Sequence, residues 1–247
     1  MTYPEQTDPP GELRIDGSLE QYFVDLSVDC PYGLPRTAVY HQALFTSIGD
    51  ATLGMLFAHG YRRNGNCIYS MRCPGCNACV PIRLRPEEFV PNRNQRRVVK
   101  KNQDVTVGVA PLRMSGENLA LLHHHLRTRF PEGRSNAEDY YAGFFISAIS
   151  RCFEIRYRVG DRLIGVAIVD GSEQWLNAVY FYFDPREAWR SPGTMNILNL
   201  VRFCRRHGIE HLYLGYCIEE VRAMRYKAAF RPHELLRGGQ WEPVGRQ

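Results

Sequence analysis

The stretch Trp175-Leu176-Asn177-Ala178-Val179-Tyr180-Phe181-Tyr182-Phe183-Asp184-Pro185, followed at once by Arg190-Ser191-Pro192-Gly193-Thr194, sets the reading of the fold. Residues 175–183 are rich in aromatic and β-branched types, which suits a strand. Asp184-Pro185 ends it, because proline has no N–H to give to a sheet. The small-residue loop 190–194 opens an amphipathic helix carrying Ile197, Leu198, Val201 and Phe203, which stops at His207-Gly208. His211-Leu212-Tyr213-Leu214-Gly215 follows as another strand. Upstream, 152–159 and 163–169 read as strands joined by the Gly160-Asp161-Arg162 turn, with a second turn at Asp170-Gly171-Ser172. Antiparallel strands, a helix, then one more strand place the chain in the α+β class.

Working outward, 21–26 and 38–45 read as strands, and Asp50 caps a short helix through Ala58-His59 that closes at Gly60. Residues 61–63 and 67–70 form a hairpin around Asn64-Gly65-Asn66. Past 105–109, a further strand, Ser115 or Gly116 opens a helix through Leu119, Leu122 and Leu126. A second helix is expected from Asn136 to Ser150, with Tyr140, Tyr141, Phe144, Phe145 and Ile149 on its apolar side. His123-His124-His125 lies on the first of these helices. Successive residues there point about 100° apart, so the three do not converge on one metal and read as surface histidines.

After the hairpin around Asn64-Gly65-Asn66, still in the first half, comes Arg72-Cys73-Pro74-Gly75-Cys76-Asn77-Ala78-Cys79-Val80-Pro81-Ile82-Arg83. Three thiols at CxxCxxC spacing suit zinc or an iron–sulfur cluster, with Cys30 or Cys67 as a fourth ligand to Cys73, Cys76 and Cys79. A tight turn with free thiols explains the same residues. The basic run beyond them resumes at Arg93, Arg96, Arg97, Lys100 and Lys101. If Asn92 caps a helix, these cations share one face, where they repel by a few tenths of a kcal/mol (roughly) per pair unless a phosphate backbone neutralises them. A solvated surface helix is the alternative.

Of the 247 residues 44% are hydrophobic and 23% charged, enough for one large core or two smaller ones. Net charge is +5, from 31 basic against 26 acidic residues, so the cationic character is local, as in a protein that meets phosphate over one patch. Residues 1–16 are polar, without a charged segment leading into an apolar one. No apolar run approaches the roughly 20 residues that span a bilayer. The expectation is a cytoplasmic protein with reduced thiols and no membrane partner.

Cys30-Pro31-Tyr32, the block from Cys73 to Arg83, Gln95-Arg96-Arg97, Tyr182-Phe183-Asp184-Pro185, Leu214-Gly215-Tyr216 and Met224-Arg225-Tyr226-Lys227 resemble the bacterial members of the arginyl-tRNA-protein transferase family. The resemblance runs in the right order from about Gln21 to Leu236. It implies a GNAT-like acyltransferase fold with a degenerate GNAT-like N-terminal half. The division expected is 1–104, carrying the cysteines and the basic RNA-binding run, and 105–247, the transferase domain. It also implies transfer of an amino acid from its tRNA to the N-terminal amine of proteins beginning with Asp or Glu, creating an N-degron. Where eukaryotic members carry a second cysteine three positions after the first, this chain has Gly33. The iron–sulfur ligands of that branch are therefore not carried over residue by residue.

The chemistry needs no cofactor. A protein N-terminus has a pKa near 7.7–8.0, so a fair fraction is already the neutral nucleophile. Positioning and oxyanion stabilisation should carry the rate, with Tyr180, Tyr182 or Asp184 as candidates to relay a proton to the leaving ribose hydroxyl. A terminal tRNA phosphate suits the helix entry at Arg190, Gly193 and Thr194. An acidic acceptor calls for a cation, with Arg225, Tyr226 and Lys227 as candidates and Arg83 as an outsider. The apolar candidates for a donor pocket, Val166, Ile168, Ala178, Tyr180 and Leu214, favour leucine over arginine, which would need a buried carboxylate. Most of the weight for leucine rests on the resemblance to the bacterial branch, which implies Leu-tRNA and Asp- or Glu-initiated proteins as the partners. The alternatives are Arg-tRNA as donor, a metal-containing RNA-binding protein, and an acetyl-CoA-dependent GNAT enzyme.

Overall fold

A computed structural model describes residues 17–245 except 132 and 134; the reading of 1–16 lies outside them. In chain order the strands are β1 (Val24–Asp29), β2 (Thr37–Leu44), β3 (Arg62–Asn64), β4 (Cys67–Met71), β5 (Val80–Leu84), β6 (Val105–Pro111), β7 (Cys152–Val159), β8 (Arg162–Gly171), β9 (Trp175–Phe183), β10 (His211–Cys217), β11 (His233–Arg237) and β12 (Gln240–Val244). The helices are α1 (Gly17–Glu20), α2 (Asp50–Ala58), α3 (Arg93–Lys101), α4 (Gly116–Arg129), α5 (Ala137–Phe144), α6 (Pro192–Arg206) and α7 (Arg222–Arg225).

The strands form a four-stranded sheet ordered β1-β2-β4-β3 and an eight-stranded sheet ordered β12-β11-β5-β10-β9-β8-β7-β6. Neighbours are antiparallel except β9 and β10, which α6 joins as a parallel crossover. β5 comes from the first half of the sequence yet sits between β11 and β10, so residue 104 does not separate the two sheets. β5 and the β11–β12 hairpin add strands beyond those expected from the sequence. Gly238 and Gly239, both at positive φ, make the tight turn of that hairpin and are its recognisable signature.

Three cores form. One face of the large sheet packs Ile155, Tyr157, Ile164 and Leu212 against Met195, Leu198 and Val201 of α6 and Val98 of α3. The other packs Val166, Ile168 and Tyr182 against Leu122 of α4 and Tyr141 of α5. The third joins Leu53, Leu56 and Phe57 of α2 to Ile68, Trp175 and Tyr213. Gly54 is needed there, since a Cβ would fall 2.5 Å from the Trp175 indole nitrogen.

Two bulges set which side chains share a face. Opposite Tyr157 and Arg158, β8 carries an extra residue at Ile164, and opposite Ile168 and Val169, β9 carries one at Val179. Each bulge reverses the alternation beyond it. Ala178 and Leu214 therefore belong to the α6 side, whereas Val166, Ile168 and Tyr180 belong to the α4 side. The five do not line one donor pocket.

Local signals explain most helix ends. Asn92 and Gln95 form a reciprocal capping box at α3 (Gln95 N to Asn92 Oδ1 2.9 Å, Asn92 N to Gln95 Oε1 2.8 Å). Ser115 caps α4, accepting from the Asn118 N–H. Gly49, not Asp50, caps α2, and Asp50 is its first helical residue, where a carboxylate suits the dipole. α5 stops at Phe144 rather than near Ser150. The Phe144 carbonyl instead accepts from Gly65 N at 3.0 Å, and Arg63 Nη1 approaches the Phe144 and Phe145 carbonyls at 3.4 Å, so the hairpin takes up the groups that would have extended the helix.

Candidate active site

β10 runs beside β9 only from His211 to Tyr213, opposite Trp175 to Asn177. Beyond that the strands part. Gly215 takes φ +80°, and β10 continues along β5, with Tyr216 opposite Pro81. The Arg62 guanidinium, projecting from β3, fills the opening. Its Nη1 donates to Asn177 Oδ1 at 2.7 Å and its Nη2 to the Ala178 carbonyl at 2.9 Å. A Cβ on Gly215 would lie 2.9 Å from Arg62 Nη2, so only glycine lets the guanidinium so close to β10.

Some of the resemblance motifs meet here, through Tyr32, Gly215-Tyr216 and Tyr226-Lys227. Lys227, in the 3-10 turn Tyr226–Ala229 after α7, donates from Nζ to the Tyr216 carbonyl at 2.8 Å. Desolvation first, and the nearby Arg62 charge second, lower its pKa to about 7. The Tyr226 ring lies over Gly193 at the entry of α6, where a Cβ would come within 3.1 Å of the phenol oxygen. Tyr32, Tyr69 and Tyr216 lie within electrostatic reach of one another and of Arg62. Burial raises all three phenols, so they remain neutral hydrogen-bonding groups.

The cysteines border this tyrosine cluster. Cys79 lies within electrostatic reach of Cys73, Cys30 and Cys76, and burial pushes its thiol up to about 12. Cys76 is lowered, first by the Ala78 backbone and then by Arg36, whose Nη1 donates to Sγ at 3.1 Å. Cys73 Sγ accepts from the Val39 N–H at 3.4 Å. Among the described residues no three His, Cys, Asp or Glu side chains are arranged to hold a metal ion. As placed, Cys30, Cys73, Cys76 and Cys79 do not form the zinc or iron–sulfur ligand set that was one of the two readings of their spacing.

Other expected site residues are committed elsewhere. The Asp184 carboxylate caps the turn Pro185–Arg190 and pairs with Arg162 and Arg186 at 2.8 Å, and these contacts hold it below the usual carboxylate range, led by Arg186. It is a poor proton relay. Tyr182 is fully buried on the α4 side, stacked on Phe145. Tyr180 is half-buried, between Tyr140 and Phe145. Arg190 is buried, gripping Asp104 with two bonds of 2.7 Å and Glu187 with one of 2.6 Å, so it is not free to meet phosphate. Arg83 pairs with Glu234 at 2.6 Å and lies over Trp241. Both arginines are structural because acids the sequence reading did not pair with them sit across the fold. His125, expected at the surface, is buried with Nδ1 3.0 Å from the Phe183 carbonyl, and burial lowers its pKa to about 4.

Arg93, Arg96, Arg97, Lys100 and Lys101 all stand exposed on α3, and none pairs with an acidic side chain among the described residues. Lys101 Nζ donates to the Trp189 carbonyl at 2.7 Å, which ties the end of this basic face to the loop before α6. Arg225 is exposed beside Tyr226. Arg62, now at the centre, had not been singled out. Its only signal was an arginine pair in a short hairpin strand.

Comparison with known proteins identifies family models and relatives that this chain resembles. Residues 28–97 match the family model described as arginine-tRNA-protein transferase, N terminus, and residues 117–237 match the one described as arginine-tRNA-protein transferase, C terminus. The chain is 34% identical over 241 residues to an aspartate/glutamate leucyltransferase of Thiobacillus denitrificans, covering 96% of this chain and 98% of that protein. It is 37% identical to one of Marinobacter nauticus (90% and 95% covered) and 39% identical to one of Aeromonas hydrophila (76% and 80% covered).

Proposed function

We propose, because this chain belongs to the arginine-tRNA-protein transferase family, that it moves leucine from Leu-tRNA to the N-terminal amine of proteins beginning with Asp or Glu. The observation that carries this reading is a likeness to aspartate/glutamate leucyltransferases that spans nearly the whole of both chains. The product bears a leading leucine, a destabilising residue read as an N-degron.

The acceptor α-amine, in its neutral form, attacks the ester carbonyl carbon of the aminoacyl-tRNA. The tetrahedral oxyanion collapses, the ester C–O bond breaks, and the proton lost by nitrogen goes to the departing ribose oxygen. A new peptide bond forms and uncharged tRNA leaves. No metal or redox group enters this balance. We assign the tRNA backbone to the exposed face of α3 (Arg93, Arg96, Arg97, Lys100 and Lys101), supported by its lack of acidic partners among the described residues. The terminal phosphate goes to the α6 entry at Gly193 and Thr194, supported by free N–H groups and the helix dipole there. Arg225, Tyr226 and Lys227 are placed on the acceptor side. Tyr180 is retained as the proton relay, since it is the least buried of the three groups considered.

The GNAT-like reading of the large sheet is supported by the antiparallel run β6 to β9, the α6 crossover and the parting of β9 from β10. Past Asn177, β9 has no strand on its β10 side among the described residues, leaving an edge along which an extended substrate backbone fits. The four-stranded sheet with α2 is the corresponding degenerate half. Along the sequence, the basic face of α3 falls within 1–104, whereas the α6 entry, Arg225 to Lys227 and the proton relay fall within 105–247. Offering an Asp-initiated peptide with either labelled Leu-tRNA or labelled acetyl-CoA tests the class of reaction. Label should pass to the peptide from the tRNA alone, and transfer from acetyl-CoA would refute the reading.

A further inference from the structure

We propose that Arg62, with Lys227 and the Tyr216 hydroxyl, receives the side-chain carboxylate of the acceptor's first residue and so sets the preference for Asp and Glu. The inference rests on the transferase reading above and adds the group that enforces its specificity.

Arg62 is 9% exposed and makes no ion pair to a carboxylate among the described residues. Its partners are an amide oxygen and a backbone carbonyl, both neutral. The nearest acid through that network is Asp170, which Asn177 reaches from Nδ2 at 3.0 Å. Asp170 is already saturated, however. It binds Arg63 at 2.7 and 2.8 Å, Ser150 Oγ at 2.6 Å and Cys152 Sγ at 3.1 Å. Two buried arginines thus share one carboxylate, and the surplus positive charge sits at Arg62. A buried cation left without a counter-ion is costly, and an incoming anion is what relieves it.

Two more donors lie within electrostatic reach of Arg62. Lys227 Nζ reaches the carbonyl of Tyr216, the residue after the Gly215 that Arg62 overlies, so the ammonium and guanidinium meet on consecutive residues of β10. The Tyr216 hydroxyl is buried and has no hydrogen-bond partner among the described residues, although a buried hydroxyl ordinarily finds one. Guanidinium, ammonium and phenol together are three kinds of donor suited to one acceptor-only group. A planar carboxylate matches the fork of Arg62. The site also lies at the parted edge of β9, so an acceptor running along that edge would bring its first side chain to these donors and its α-amine to the ester.

The test compares kcat/KM for leucine transfer to four peptides that differ only in a first residue of Asp, Asn, Glu or Gln, alongside tRNA affinity by filter binding. Wild-type protein should prefer the acids. In Arg62→Met the Asp-to-Asn ratio should fall by about 10- to 100-fold, the worth of a charge-assisted hydrogen bond, with tRNA affinity unchanged. Lys227→Met, at a half-buried position, should lower the same ratio and keeps the test open if Arg62→Met does not fold. A folded Arg62→Met or Lys227→Met protein that loses Asp and Asn transfer in equal proportion overturns the proposal. So does one whose tRNA affinity falls while the ratio holds, since the anion would then be a phosphate. Wild-type protein that transfers leucine to none of the four overturns the transferase reading itself, and with it the acceptor assigned to this pocket.

Discussion

Arg63 and Asp170 form an ion pair in which neither side chain is exposed to solvent, with Nη2 2.7 Å from Oδ1 and Nε 2.8 Å from Oδ2. The pair joins β3 of the small sheet to β8 of the large one, and through Asn177 it also holds Arg62 in the parted edge of β9. The bidentate geometry satisfies both charges, which burial would otherwise penalise. Although burial alone would raise the Asp170 carboxyl, Arg63 and the hydrogen bonds around it bring it below the ordinary carboxylate value.

Asp170→Asn should therefore be strongly destabilising, by about 3–5 kcal/mol, because it leaves the Arg63 guanidinium buried and unpaired. Since the folded pKa of Asp170 lies below the unfolded value, its contribution is complete above the unfolded pKa of about 3.9. It is lost as pH falls through the lowered folded value. Urea unfolding of both proteins at pH 7 checks the loss, and a difference within about 0.5 kcal/mol, typical of surface substitutions, would contradict it.

Charge reversal at Arg96, Arg97, Lys100 and Lys101 should weaken tRNA binding while leaving the fold intact, because all four side chains are exposed. Each lost phosphate contact should lower the slope of log affinity against log salt by about 0.9 in double-helical regions. Titration of tRNA at several salt concentrations measures it. An unchanged affinity and slope would make α3 an ordinary solvated helix.

The pH dependence of kcat/KM for an Asp-initiated peptide should be bell-shaped. Lys227, lowered to about 7 by burial and by Arg62 and opposed only by the Cys217 thiol, carries its charge below that value and loses it above. The acceptor amine becomes nucleophilic above about 7.7–8.0. Charged Lys227 and neutral amine coexist best between the two, so the rate should peak in that interval. Lys227→Met should abolish the alkaline fall and leave only the rise. A descending limb that persists in the variant would assign it to another group.

Much of this architecture was legible because the deciding signals are local. Asn92 and Ser115 as helix caps, and Gly65 in its hairpin turn, act through residues a few positions apart, and the sequence displays them directly. The strands 152–159, 163–169 and 175–183 carry enough β-branched and aromatic residues to be read alone. What escaped depended on contacts far along the chain. Arg190 and Arg83 look free until Asp104 and Glu234 are placed beside them. The bulge at Val179 moves Ala178 and Tyr180 to opposite faces, and no alternation rule announces it. Arg62 is defined as a site by Gly215, Asn177 and Lys227, residues more than a hundred positions away.

The most direct measurement of the central claim is a competition in which leucyl- and arginyl-tRNA, each with a distinct label, are offered together to this protein and an Asp-initiated peptide. The α-amine of the peptide should acquire leucine in preference to arginine, and the Asn-initiated peptide should acquire little of either. Preferential incorporation of arginine would contradict the donor, and no incorporation of either amino acid would contradict the transferase.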